Sequence, residues 1–226
     1  FNELKAVVLD YAKQQEKFMR LSNLTLPIAS ILSGRKLTKE LTGIFSDMRI
    51  ENLDINYFAV SCDLNAHNTF IHRDGLLWEA IRASTSLPAI YPPLALGKHL
   101  LVDGGVMDNL PTEPMRELIG NKGQLIAVDV SSGGMNETEY NHPPYIDFPY
   151  ALGYVTGLKH KDAVIPGLRE TLFKSMFTAS QYKRITSREI ADILIRPPIH
   201  QYPMLDFTRV KEFIQMGYDA TKDSMA

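Results

Sequence analysis

Cysteine is nearly missing from this chain of 226 residues: Cys62 is its only one. No internal disulfide can form, and the place of Cys62 inside the apolar run 57–64 marks it as a buried structural thiol. Tryptophan also occurs once, at Trp78. Neither sign of charge dominates, since 24 basic and 26 acidic residues leave a net charge of −2 and are mixed along the chain. That balance leaves out the basic stripe of a nucleic-acid binder. No apolar run approaches the roughly 18 residues that cross a bilayer. No signal-peptide pattern opens the chain, which starts at Phe1 rather than Met. Internal repeats and low-complexity tracts are missing too. The six histidines (His67, His72, His99, His142, His160 and His200) are dispersed, with no pair at metal-ligand spacing. A hydrophobic fraction of 45% beside 22% charged residues is ordinary for one globular domain with a substantial core.

What is present centres on residues 83–111. Ala83-Ser84-Thr85-Ser86-Leu87-Pro88 reads as a helix end running into a loop held extended by Pro88, Pro92 and Pro93. The apolar residues Leu100, Leu101 and Val102 then form a strand that delivers Asp103 onto Gly104-Gly105, and Asn109-Leu110-Pro111 follows. A carboxylate at a strand end, followed by two residues without side chains, leaves room for close approach by a ligand. That arrangement suits a catalytic base. The same aspartate can also close the turn through its own backbone.

The remaining pattern alternates helices and strands. Residues 4–21 carry Leu4, Val7, Val8, Tyr11 and Phe18 near one helical face. Thr38 is placed to cap a helix through Phe45, and residues 55–62 are β-rich enough for a central strand. A second strand is expected over 69–72, a helix over 76–83, and a helix over 112–119 with Thr112 as N-cap and Gly120 as its stop. Residues 125–130 read as a further strand and 133–150 as a long surface loop or lid. Residues 154–182 are helical in character, 190–195 form a short strand, and 205–221 form an amphipathic helix carrying Phe207, Val210, Phe213, Ile214 and Tyr218. Short links between alternating elements argue for an α/β sheet covered on both faces. Asp129, after its apolar strand, either shapes a pocket or caps the next loop. The stripe 172–177 either lines an acyl tunnel or packs as core, and the apolar residues of 140–154 either touch a bilayer or belong to an adaptable loop.

Ala-Ser-x-Ser-Leu-Pro, Pro92-Pro93, Val-Asp-Gly-Gly-Val and Asn-Leu-Pro together resemble the C-terminal half of the patatin-like phospholipase signature. The likeness is closest to the neuropathy target esterase branch. Residues 47–54, Tyr57-Phe58 with Asp63, 72–78, 194–198, Asp206-Phe207 and Gly217-Tyr218 agree with that branch, so the resemblance spans nearly the whole chain. It implies a three-layer α/β sandwich, with a mostly parallel central sheet covered by helices on both faces. It also implies a hydrolase of phospholipid or lysophospholipid acyl esters that uses a Ser–Asp dyad and no metal or organic cofactor. Asp103 takes the place of the general base, with Gly104, Gly105 and Asn109 supporting the site.

The matching nucleophile elbow, Gly-x-Ser-x-Gly, occurs nowhere in the sequence. Ser33 and Ser132 each lack the glycine two positions before. Ser84 and Ser86 lack the elbow glycines as well, and are read as a helix-end hydroxyl bonding backbone and a residue packed under the loop that carries Asp103. Asn109 is expected to tie down the glycine turn with its side chain. Residues 1–226 are therefore expected to be a patatin-like domain without its N-terminal part. The oxyanion loop and elbow are expected to lie about 40 to 80 residues upstream, one or two βα units. A cytoplasmic or peripheral-membrane location and possible contact with a lipid surface go with this reading, and no nucleic-acid partner does. A patatin-like module that binds lipid or protein without catalysis is the alternative.

Overall fold

A computed structural model describes residues 24–26, 28–131, 139–199, 201–202 and 208–225, together with Lys5 and Leu9. The expected helix over 4–21 lies almost wholly outside these residues, as do Ser132, His200 and Phe207. The chain divides into two compact units, Phe1–Gly133 with Ala179–Ala226, and Gly134–Thr178.

In the first unit, strand β1 (Ala59–Asp63) is buried along its whole length. It lies inside a four-stranded sheet ordered β2-β1-β4-β3, with β2 (Asn68–His72), β3 (Leu94–Leu96) and β4 (His99–Asp103). Every pairing in this sheet is antiparallel. Turns of a few residues join β1 to β2 and β3 to β4, and links that short can only make antiparallel neighbours. Gly97 supplies the left-handed φ of 59° that the second turn requires. Strands β5 (Ile126–Val128) and β6 (Ile193–Ile195) pair in parallel, joined by a long connection that contains helices. The chain is α/β, but the mostly parallel sheet expected from the sequence is not what the described strands form.

Paired residues across a sheet point to the same face. Ser61 stands opposite both Phe70 and Asp103, and Asp63 opposite both Asn68 and Leu101. Ser61 and Asp63 are fully buried, so each needs a polar partner. Ser61 Oγ shares a 2.9 Å hydrogen bond with His72 Nε2. His99 Nδ1 donates to Asp63 Oδ2 at 2.5 Å, and the Asn65 and Leu100 amides donate to Asp63 Oδ1. The Phe70 ring packs against both imidazoles, with centroids 4.7 and 4.8 Å away. Burial pushes the His72 pKa down to about 4, and the His99 bond holds Asp63 at about 2.

Helix α1 (Arg35–Phe45) begins three residues before Thr38, behind a left-handed Gly34, so Thr38 is not its cap. It packs Leu37 and Leu41 against Trp78, Ile81 and Tyr91. Helix α2 (Leu77–Ser84) places Leu77 and Ala80 beside Ile50 and Ala59. Helix α3 (Thr112–Ile119) joins Leu110, Leu125 and Ala127 in a second cluster with Ile190 and Leu194. Thr112 does not cap this helix; its hydroxyl donates to Ser187 O at 2.7 Å.

In the second unit, α4 (Phe148–Val155) is capped by Asp147, whose side chain accepts the Tyr150 amide at 2.9 Å. Gly157, with φ 67°, and Pro166 interrupt the helix expected over 154–182. It resumes as α5 (Leu168–Ile190), which runs on into the first unit. Helix α6 (Val210–Met225) closes the chain and packs on β6.

Candidate active site

Asp103 is the last residue of β4 and the N-cap of a short 3-10 turn, Gly104–Val106. Its own amide donates to Ser86 O at 3.0 Å, and its Oδ1 accepts the Gly105 amide at 2.7 Å. These bonds fix both the backbone and the rotamer of the carboxylate. Oδ2 has no hydrogen bond among the described residues. Gly104 lies so close to β1 that a Cβ there would stand 2.3 Å from Val60 O, which is why this position takes glycine. Burial pushes the Asp103 pKa above the ordinary carboxylate range, and the Gly105 amide offsets this only in part. A carboxylate raised in this way is a better proton acceptor near neutral pH.

Asp103 opens into a cleft of about 340 Å³, walled by Tyr57, Phe58, Ala59 and Val60 on one side and by Ser84, Gly104, Gly105, Asp108, Asn109 and Pro111 on the others. Both glycines of the expected site line it. Asn109 lines it too, but its side chain is exposed and does not tie the turn down. The anchor is its backbone amide, which donates to Ser180 Oγ at 3.1 Å.

The two serines divide differently from expectation. Thr85 and Ser86 make the helix-end bonds to Ile81 O and Arg82 O, while Ser84 faces the cleft. Ser86 is fully buried beneath the Asp103 backbone, as its position in the motif suggests. The buried Arg82 donates to Ser86 Oγ, Pro92 O and Thr38 Oγ1, and so staples the proline loop to α1 and α2. Arg82 escaped the sequence reading; its one signal was a charge among the buried Leu77, Ala80 and Ala83.

Asp108 was missed as well. It is buried, and Lys183 Nζ lies 2.7 Å from its Oδ2. Glu113 shares the lysine at 3.3 Å. Asp129 does not line this cleft. Its Oδ1 accepts the Ser131 amide at 3.1 Å, which closes the loop after β5, and Oδ2 accepts from Arg188 at 2.7 and 2.5 Å. Burial pushes its pKa up, but the Ser131 and Arg188 bonds outweigh that and hold it below the ordinary value. Among the described residues no three His, Cys, Asp or Glu side chains are grouped to hold a metal ion, and no helix is long and apolar enough to cross a membrane.

Residues 2–116 match the family of patatin-like phospholipases. Over 92% of its length the chain is 32% identical to a lysophospholipase of Meyerozyma guilliermondii. It is likewise 32% identical, over 92% of its length, to the neuropathy target esterase of Drosophila melanogaster. Identity to patatin-like phospholipase domain-containing protein 7 of Rattus norvegicus is 31% over 96% of the chain. The chain spans only 14%, 15% and 16% of these proteins' own lengths. On the match that covers half of it, and on relatives of the neuropathy target esterase type along nearly all of it, this chain belongs to the patatin-like phospholipase family.

Proposed function

We propose that this chain carries the base-bearing part of a serine hydrolase that cleaves fatty-acyl esters of phospholipids or lysophospholipids. The observation that carries the reading is Asp103, at a strand end: its backbone amide donates to Ser86 O, its half-buried carboxylate accepts the Gly105 amide at one oxygen and keeps the other free, and it opens into a cleft lined by Tyr57 and Phe58. Asp103 Oδ2 takes the proton of a serine hydroxyl as that oxygen attacks the acyl carbonyl carbon. The proton passes to the departing alcohol as the ester C–O bond breaks and an acyl-serine remains. Asp103 then takes a proton from water, whose oxygen attacks the acyl-serine, and the serine leaves with that proton. No histidine is needed for this cycle.

Because no Gly-x-Ser-x-Gly occurs in the 226 residues, the nucleophile and the oxyanion-binding amides belong to a segment upstream of them. Residues 1–226 then form one patatin-like domain with that segment. A cytoplasmic or membrane-surface location goes with this reading.

Fluorophosphonate labelling of the complete protein, with the adduct located by peptide mass mapping, tests the proposal. An adduct on a serine outside these residues supports it. An adduct on Ser84 reassigns the nucleophile to a residue that lines the cleft. A folded sample that takes no label favours a module that binds without catalysis.

A further inference from the structure

The parallel strands β5 and β6 end among arginines. Register sets Val128 beside Ile195, and the Asp129 amide donates to Ile195 O at 2.9 Å, so Asp129 and Arg196 leave the two strands side by side at their carboxyl ends. Helix α5 brings Arg184 and Arg188, one turn apart, to the same place. Arg188 grips Asp129 Oδ2 through Nε and Nη2. Arg184 Nη1 donates to Ser131 Oγ, which in turn donates to Asp129 Oδ1, while Arg184 Nε stays 3.9 Å from Asp129 Oδ2. None of these residues lines the Asp103 cleft.

One arginine would neutralise Asp129, and three stand near it. Their charges reach one another: burial pushes the Arg184 pKa down, Asp129 opposes this, and the like charges of Arg188 and Arg196 add to it. No other carboxylate forms an ion pair with the three among the described residues. Asp192 is taken by Arg116 and the Leu125 amide, and Glu189 makes no ion pair. The C-terminal dipole of α5 supplies about half an elementary charge at most. Three guanidiniums against one carboxylate thus leave a surplus of two positive charges. Donors are left over as well. Arg184 is only 8% exposed, yet its Nε has no hydrogen-bond partner, and the exposed Arg196 makes no hydrogen bond or ion pair among the described residues. A buried donor without an acceptor is costly, so the cluster suits an acceptor that these residues do not supply.

We infer that Arg184, Arg188 and Arg196 form a binding site for a phosphate monoester at the carboxyl ends of β5 and β6. The surplus matches a monoester, which carries about −1.5 to −2 near neutral pH, better than a singly charged carboxylate or phosphodiester. Planar guanidiniums fit phosphate oxygens in pairs, and the carboxyl ends of parallel strands are where α/β sheets receive ligands. Both oxygens of Asp129 are already engaged, and the exposed Arg196 offers the approach from solvent. The inference holds whether or not Asp103 is catalytic.

Equilibrium dialysis of the complete protein against radiolabelled inorganic phosphate, at constant ionic strength and neutral pH, tests it. One saturable site is expected, for which dimethyl phosphate, a monoanion, competes weakly. Arg196→Gln weakens binding by about tenfold or more, the loss of one charge-assisted contact, and Arg196→Lys loses less. Arg196 is exposed, so the thermal transition of both variants stays in place. Arg73→Gln, at an exposed arginine paired with Glu117, is the control and binds as wild type does. Flotation with phosphatidylcholine vesicles, with and without phosphatidic acid, separates two sources of the group. Phosphate binding without vesicle binding assigns a free phosphate ester. Vesicle binding that needs phosphatidic acid and is lost in Arg196→Gln assigns a lipid headgroup. The inference is overturned if neither phosphate nor phosphatidic acid binds, if Arg196→Gln binds as tightly as wild type, or if dimethyl phosphate competes equally well.

Discussion

Replacing Gly104 by alanine puts a methyl carbon 2.3 Å from Val60 O and 2.7 Å from the Val60 carbonyl carbon. Ordinary carbon–oxygen contact begins near 3.2 Å, so the two backbones must separate by about 1 Å. Val60 belongs to a buried strand paired on both sides, and it has little room to move. The 3-10 turn must shift instead, and it takes with it Asp103 and the Gly105 amide that orients the carboxylate. A 1 Å displacement of a reacting group costs on the order of 10²-fold in rate. The overpacking itself costs about 1–3 kcal/mol of stability. For a domain of this size each kcal/mol lowers the melting temperature by about 2–4 °C. The assay is kcat/KM for ester hydrolysis by the complete protein, read beside thermal unfolding. Gly43→Ala is the control: it sits in α1 with nothing within 4 Å of the added carbon. It should leave hydrolysis unchanged and stabilise the fold by about 0.5–1 kcal/mol. Gly104→Ala with wild-type melting and hydrolysis within threefold of wild type would refute the reasoning.

His72, buried at the end of β2, makes stability depend on pH. Its pKa is near 4 when folded against about 6.5 unfolded, so the unfolded chain binds the proton first as pH falls. The stabilisation is fully present above about pH 6.5 and is lost down to about pH 4, to a total near 3 kcal/mol. Denaturant titrations of His72→Gln should lack that slope, and an equal slope in variant and wild type would contradict the assignment. Asp63, held at about 2, adds stability that is lost only as pH falls from about 3.8 toward 2, so the two windows separate. Arg188→Ala leaves the buried Asp129 with the more distant Arg184, 3.9 Å away, and should destabilise by about 3 kcal/mol in urea unfolding. Arg188→Ala together with Asp129→Asn should recover much of that loss. Leu101→Ala, at a fully buried position, should cost about 2–5 kcal/mol while leaving the residues of the cleft in place, as calorimetry and the residual hydrolysis rate would show.

The elements that sequence reading placed well are those with local punctuation. The run into Asp103, the stop at Gly120 and the helix of residues 77–84 all have turn formers or apolar spacing beside them. Strand direction was the chief miss. The family resemblance implied mostly parallel pairing, but tight turns at residues 64–67 and 97–98 fold β1/β2 and β3/β4 into hairpins. The first of these turns, Leu64-Asn65-Ala66-His67, lacks the Asn-Gly type signal that usually announces a hairpin, while the second carries Gly97. Around the site, Asp103 and its glycines were legible because they are contiguous. Ser84 and Tyr57 join the same cleft only through packing of α2 and the segment leading into β1, so their place beside Asp103 could not be read from spacing. The Ser61–His72 and Asp63–His99 pairs were hidden for the same reason: strand register, rather than sequence proximity, brings them together.

The most direct test of the account is Asp103→Asn in the complete protein. Asparagine keeps the shape and can still accept the Gly105 amide, but it cannot take a proton from a serine. Burial already raises the Asp103 pKa, so the charged form is a cost to the fold at neutral pH, present once pH rises through the folded value. The account therefore predicts a melting temperature equal to or above wild type, with ester hydrolysis lowered by about 10³-fold or more. Hydrolysis near the wild-type rate in a folded Asp103→Asn protein would contradict it.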